Sequence, residues 1–282
     1  MAVATVGIIG SGLMGSGIAQ VSAAAGLKVI VRDIDEAALK RGVGAIESSL
    51  ARLVSREKMT EAAKTAALGA ITTTTDIGKL AAADFVIEAA TENLGLKQKI
   101  LKEIEGVVPP TCIVATNTSS VSVTKLAATL AQPGRFIGMH FFNPVPVMQL
   151  VEIIRAIQTT DQTFAATDAL AKQLGKTPIG VKNAPGFVVN RILCPMINEA
   201  IFAYQEGLAS AEEIDAGMKL GANHPIGPLA LADLVGLDTL LAVMNVFYED
   251  FKDPKYRPAT LLKEMVDAGY LGRKSGRGFF QY

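Results

Sequence analysis

The strongest constraint on this chain lies in its first 33 residues. A β-branched run at 5–9 leads into Gly10-Ser11-Gly12-Leu13-Met14-Gly15, and an Ala-rich segment follows to residue 25. A second apolar run at 28–31 ends beside Asp33. Strand, glycine turn, helix and second strand in this order form a βαβ unit with a G-x-G-x-x-G turn. The first glycine permits the tight turn, the second lets backbone approach a pyrophosphate, and the third allows close helix-to-strand packing. The helix N-terminus adds amide donors and the positive end of a dipole. Asp33 stands 18 residues past Gly15 (33 minus 15), where a carboxylate can accept hydrogen bonds from both ribose hydroxyls of NAD and repel a 2′-phosphate. FAD uses the same fingerprint, and Arg32 beside Asp33 keeps an NADP reading open. The expected cofactor is NAD.

The glycines also settle an ambiguity. No charged residue occurs from 1 to 27, as in an export signal or a membrane span. A span needs roughly 20 predominantly apolar residues, whereas Gly7, Gly10, Gly12, Gly15, Gly17, Ser11, Ser16, Gln20 and Ser22 interrupt this one. The apolar stretch 225–247 carries Asp233 and Asp238 and reads as packed helices. No membrane partner is expected. Neither export nor transit segment is recognisable, and Phe280-Gln281-Tyr282 is not a peroxisomal address. The expected location is cytoplasmic.

Further apolar runs at 85–87 and 112–115, with helical segments near 95–104 and 123–130, extend the alternation into a parallel sheet covered on both faces. The charged segment between Asp33 and Ile71 exceeds a usual crossover and reads as two long helices projecting from the sheet. After Pro185 the apolar spacing is helical from 188 to 265. The expected architecture is α/β: a Rossmann-type, doubly wound, mainly parallel sheet with a projecting helical hairpin over 1–184, then an all-α C-terminal domain over 185–282. The apolar surface of that second domain is a candidate dimer interface.

The composition excludes other chemistries. Twenty-seven basic and 27 acidic residues cancel, against a nucleic-acid binder that relies on bulk positive charge. Two cysteines, Cys112 and Cys194, rule out a disulfide scaffold and read as buried inert thiols. With only His140 and His224 as imidazoles, no metal site is expected, and His224 before Pro225 reads as part of a capping loop.

His140 closes the apolar run 135–139, and a second extended run at 147–154 contains Glu152. A chain reversal near Pro146, six residues from each, would set the two face to face. Glu152 would then fix the tautomer and stabilise the imidazolium while His140 exchanges a proton with a substrate oxygen. Spacing alone favours the plainer reading of a core histidine and a surface glutamate. Asn117-Thr118-Ser119-Ser120 follows the strand at 112–115, at the carboxyl edge where open parallel sheets bind ligands. Asn190 lies at the domain junction in Pro185-Gly186-Phe187-Val188-Val189-Asn190-Arg191. Helix capping is the simpler reading of both stretches.

These motifs together resemble the 3-hydroxyacyl-CoA dehydrogenase family over almost the whole length. The resemblance is carried by 10–15, Glu88-Ala89-Ala90-Thr91-Glu92-Asn93, 117–120, 140–146, 185–191, 221–227 and Gly272-Arg273-Lys274-Ser275-Gly276-Arg277-Gly278-Phe279. It implies reversible, NAD-dependent oxidation of an (S)-3-hydroxyacyl-CoA, with short thioesters such as acetoacetyl-CoA as the oxidised partner. It makes His140 the general base and Glu152 its orienting partner. Ser119 and Asn190 would bond the reacting oxygen and the thioester carbonyl. Asp33, Ala90, Glu92, Lys97, Asn117 and Lys274 would surround the NAD beside the glycine turn. Ser49, Arg52, Arg56 and Asn143 would hold the CoA substrate; Arg52 and Arg56, four apart, would share a helix face. A homodimer through the C-terminal domain is expected from its apolar surface, and the family implies closure of the two domains on substrate. A sugar-acid (gulonate-type) dehydrogenase and a crystallin-like protein without turnover are the alternatives.

Overall fold

The computed structural model describes residues 3–282. The chain forms two compact units, one ending at Ala184 and the other spanning Pro185–Tyr282.

The first unit opens with β1 (Thr5–Ile9), α1 (Leu13–Ala24) and β2 (Lys28–Arg32). The hairpin α2 (Glu36–Ser55) and α3 (Glu61–Gly69) leads to β3 (Ile71–Thr74). Next come β4 (Phe85–Glu88), α4 (Leu94–Val107), β5 (Ile113–Thr116), α5 (Val123–Ala127) and β6 (Phe136–Phe141). The unit closes with β7 (Leu150–Arg155), α6 (Asp161–Gln173) and β8 (Thr177–Lys182). Helix starts follow local chemistry: the side chains of Asp35, Thr60, Asn93, Ser122 and Thr160 each accept a first-turn amide.

The eight strands form one sheet in the order β3-β2-β1-β4-β5-β6-β7-β8. All neighbours are parallel except β6 and β7. Strand order reverses direction between β1 and β4, the switch point where open α/β sheets leave a crevice. The two-residue period sorts side chains between the faces. Val6, Ile8, Val29, Val31, Phe85, Ile87, Ile137, Met139 and Phe141 join one core with residues of α1, α2, α3 and α6. Gly7 turns the other way, towards Leu80 and Val86, and Gly138 towards Val123 of α5.

The hairpin differs from the sequence reading. Only α2 is long, at 20 residues; α3 has nine. The stripe Leu39, Gly42, Ile46 and Leu50 is buried, so this face of α2 belongs to the core and only the remainder projects. Three elements were not foreseen. β3 is a short, threonine-rich strand at one sheet edge, β8 at the other edge carries Pro178 and Gly180, and α6 is rich in Ala and Thr with little apolar contrast. None presents the continuous apolar run that marks a buried strand.

The second unit is helical: α7 (Val189–Gln205), α8 (Ala211–Gly221), α9 (Pro228–Val235), α10 (Leu237–Phe251) and α11 (Thr260–Asp267). Ile197, Ile201, Leu229, Leu240, Met244 and Phe247 form its core. Two buried carboxylates serve backbone there. Asp215 accepts the amides of Leu229 and Ala230 at the start of α9, and Asp233 accepts those of Phe279 and Phe280 and the Tyr282 hydroxyl. Helices α9 and α10 meet at 97°, with Gly236 between them at a φ of 100°. Among the described residues, no single helix is long and apolar enough to cross a membrane.

Candidate active site

Three glycines at the carboxyl end of β1 do three different jobs. Gly10 has a φ of 94°, and a Cβ there would stand 2.7 Å from Ala90 Cα at the end of β4. Gly15 sits on the first turn of α1, where a Cβ would overlap the Gly10 carbonyl oxygen. Gly12 is the N-cap of α1, no side chain caps it, and nothing lies within 4 Å of where its Cβ would be. Two of these positions are closed by protein, and the middle one opens onto space in front of uncapped helix amides. That cradle fits a pyrophosphate.

Asp33 closes the cradle. Its Oδ2 accepts from the Ser11 amide and hydroxyl, both at 2.7 Å, and its Oδ1 from the Ile34 amide at 2.7 Å. Burial works against the charge as the largest single influence, but the Ser11 and Ile34 donors and nearby Arg32 together outweigh it. The carboxyl is held below its ordinary value. An ionised acceptor at the end of β2 fits paired ribose hydroxyls and disfavours an added phosphate.

The ends of β4 and β5 hold two carboxylates with different tasks. Glu88 is fully buried; its Oε2 accepts from Lys97 Nζ at 2.6 Å and Thr116 Oγ1 at 2.7 Å, and its Oε1 from the Ala90 amide at 2.9 Å. Lys97, expected at the cofactor surface, is 0% exposed. Its ammonium is enclosed by Glu88 and Thr116, so it shapes the 88–93 loop from behind. Glu92, by contrast, is exposed and accepts from Thr118 Oγ1 at 2.6 Å, the Ser119 amide at 2.8 Å and Ser119 Oγ at 3.0 Å. Neither Asn117 nor Ser119 caps α5, since Ser122 does. Asn117 Oδ1 instead accepts the Phe141 amide at 2.8 Å, tying the end of β5 to the residue after His140.

His140 and Glu152 are direct partners in the antiparallel register of β6 and β7. Because Ile137, Met139 and Phe141 face the core, His140 faces the opposite side of the sheet. Both side chains are buried, and His140 Nδ1 lies 2.8 Å from Glu152 Oε2. A carboxylate oxygen only accepts, so Nδ1 carries the proton and the basic lone pair is on Nε2. The Phe142 ring packs 4.6 Å from the imidazole.

A cavity of about 980 Å³ within the first unit brings many of the expected residues together. Gly10, Ser11, Gly12, Leu13, Asp33 and Ala90 line it with Ser49, Arg52 and Asn143. Met14, Gly15, Glu92, Lys97, Asn117, Ser119, His140 and Glu152 are not in its lining. Nor is Arg56, the C-cap residue of α2. Arg41, Lys99 and Glu103 line the cavity although the sequence reading passed over them. They are exposed charges on helices, and in a sequence such residues look like any solvated face. Asn190 and Lys274 belong to the second unit. Asn190 is in the first turn of α7, and Lys274 Nζ bonds Asp238 Oδ2 at 2.7 Å. Cys112 and Cys194 are buried, and burial pushes both thiols up to about 12, leaving them unreactive.

A dinucleotide cradle at the switch point, with an imidazole–carboxylate pair on the same sheet, defines an NAD-dependent dehydrogenase. The comparisons with known proteins agree. Residues 5–184 match the model of the 3-hydroxyacyl-CoA dehydrogenase NAD-binding domain, and residues 186–282 match that family's C-terminal domain. A probable 3-hydroxybutyryl-CoA dehydrogenase of Deinococcus radiodurans is 52% identical over 98% of this chain and 99% of its own length. A 3-hydroxybutyryl-CoA dehydrogenase of Bradyrhizobium diazoefficiens is 52% identical over 98% and 94%. The crystal structure of (S)-3-hydroxybutyryl-CoA dehydrogenase PaaH1 from Ralstonia eutropha superposes with a TM-score of 0.98 at 64% identity, covering 100% of this chain and 99% of that one. The chain belongs to the 3-hydroxyacyl-CoA dehydrogenase family, and its cofactor is NAD.

Proposed function

We propose that this protein interconverts short (S)-3-hydroxyacyl-CoA and 3-oxoacyl-CoA thioesters, with (S)-3-hydroxybutyryl-CoA and acetoacetyl-CoA as its couple. The observation that carries the reading is the cross-strand pair of His140 and Glu152, a buried base oriented by a buried acid. The printed names of relatives covering nearly the whole chain support the substrate class.

Bound NAD supplies the hydride acceptor for the C3 hydrogen. His140 Nε2 takes the proton of the 3-hydroxyl as the C3–O bond becomes a carbonyl, and the positive charge that develops on the ring is stabilised by Glu152. In reduction the imidazolium returns that proton to the new alkoxide. Ser119 and Asn190 hydrogen-bond the 3-oxygen and the thioester carbonyl. Ser49, Arg52, Arg56 and Asn143 engage the CoA portion, where guanidinium groups suit phosphates. Asp33, Ala90, Glu92, Asn117 and Lys274 complete the cofactor's surroundings, and Lys97, enclosed by Glu88 and Thr116, supports the 88–93 loop among them. The first unit binds the dinucleotide, while the second walls the substrate and dimerises through apolar side chains such as Ile192, Leu220 and Leu234, all more than half exposed. The location is cytoplasmic.

The test is oxidation of NADH by acetoacetyl-CoA, followed at 340 nm. Saturable turnover is expected; turnover of a free sugar acid alone, or none, overturns the assignment. Replacing His140 by Ala should lower kcat by about 10²–10⁴-fold while NADH still binds, and unchanged turnover removes the proposed base.

A further inference from the structure

Lys176 is a buried charge that the proposed chemistry does not use. It lies between α6 and β8, and its backbone is fixed on both sides: its amide donates to Ala171 O at 3.0 Å, and the Thr177 amide to Gln149 O at 2.8 Å. Its Nζ donates to Val145 O at 2.5 Å and Met148 O at 2.9 Å. Among the described residues no carboxylate forms an ion pair with it, and burial alone lowers its proton affinity. A buried ammonium held only by carbonyls is costly compared with an apolar side chain of the same length. What it supplies must be the placement of those two carbonyls.

Both belong to the turn between β6 and β7. Within that turn, the Val147 and Met148 amides share the Pro144 carbonyl. Val145 is 2% exposed and seated on α1, where a Cβ on Gly17 would come within 2.8 Å of Val145 Cβ. Asn143, Pro144, Val145 and Pro146 line the same cavity as Gly10, Gly12 and Asp33. The turn is therefore one wall of the dinucleotide cavity, pinned to α1 by Val145 and from behind by Lys176.

We propose that Lys176 is a positioning residue for the cofactor: its two hydrogen bonds hold the 143–148 turn as the wall against which the dinucleotide binds. The inference rests on the NAD assignment. It separates cofactor affinity from chemistry, because the His140–Glu152 register is held independently by the β6–β7 ladder and by Asn117.

The experiment is fluorescence titration of the full-length protein with NADH, alongside steady-state kinetics with acetoacetyl-CoA. Lys176→Met should raise the NADH Kd about tenfold, with kcat at saturating NADH within about threefold of the parent. Lys176→Arg, which keeps charge and donors, should restore most of the affinity. An unchanged Kd in Lys176→Met overturns the proposal. So does a fall in kcat at unchanged Kd, or equal loss of both with no rescue by Arg. Should Lys176→Met not fold, Lys176→Gln is read in its place, with about a three- to fivefold rise in Kd expected and an unchanged Kd decisive against. Failure of the parent protein itself to bind NADH would instead refute the cofactor assignment.

Discussion

Glu92 and Ser119 are joined twice, through the Ser119 amide at 2.8 Å and its hydroxyl at 3.0 Å. A serine hydroxyl has one proton, and here it is committed to Glu92. In this arrangement Ser119 Oγ only accepts, whereas the substrate 3-hydroxyl gives its proton to His140; donation to the substrate's 3-oxygen therefore requires the hydroxyl to turn from Glu92 while the amide bond keeps Ser119 in place. Glu92→Ala should release Ser119 and lower kcat/KM by about 10- to 100-fold. Because Glu92 is exposed, the melting temperature should barely move. Parent-like kcat/KM would show that the orientation of this hydroxyl has no bearing on turnover.

Gly12 and Gly15 should respond oppositely to the same added methyl group. At Gly12 nothing protein-derived stands within 4 Å, so Gly12→Ala should keep the parent melting temperature and lose NADH affinity. At Gly15 the methyl group would overlap the Gly10 carbonyl, so Gly15→Ala must shift α1 against β1 and should lower stability by about 1–3 kcal/mol. Thermal melts and NADH titrations of both variants decide it; a Gly12→Ala protein with unchanged NADH affinity would remove the pyrophosphate from that position.

The cradle was legible in the sequence because its signal is local: a turn, a helix and an acid within 33 residues. The pairing of His140 with Glu152 was legible for a different reason. One chain reversal at prolines fixes an antiparallel register, and a register fixes which side chains meet. Glu88, Lys97 and Thr116 could not be read the same way, since their contact joins a strand, the helix after it and a parallel neighbouring strand, 9 to 28 residues apart. That Lys97 is enclosed was not legible either, because a lysine in an amphipathic helix ordinarily points to solvent, and only the buried Glu88 reverses that. Lys176 gave no signal at all, because its partners are backbone carbonyls.

Asp33 makes a prediction about acid. Its folded-state affinity for protons is depressed, so what it contributes is complete above the ordinary carboxyl range and is lost as pH falls through the lower folded value. Loop order and NADH binding should therefore hold from neutrality to about pH 5 and decline below about pH 4. Asp33→Asn should bind NADH about tenfold more weakly at neutrality and show a smaller decline in acid. It should also narrow the preference for NADH over NADPH. Titrations of both proteins with both cofactors across this range test the point; identical acid profiles or an unaltered preference would take the carboxylate out of cofactor selection.

Glu88 and Lys97, both fully buried and 2.6 Å apart, make the sharpest stability prediction. Two charges removed from water are tolerable only together, because each is the main compensation for the other's desolvation. Lys97→Met leaves the Glu88 carboxylate with only the Thr116 hydroxyl and Ala90 amide, and should cost about 3–5 kcal/mol. Replacing both, as Glu88→Leu with Lys97→Met, removes the stranded charge and should be milder than Lys97→Met alone. A double-mutant cycle read by denaturant unfolding measures the coupling. A loss below about 1 kcal/mol for Lys97→Met would mean that the pair behaves as a solvated one, and would contradict its place beneath the 88–93 loop.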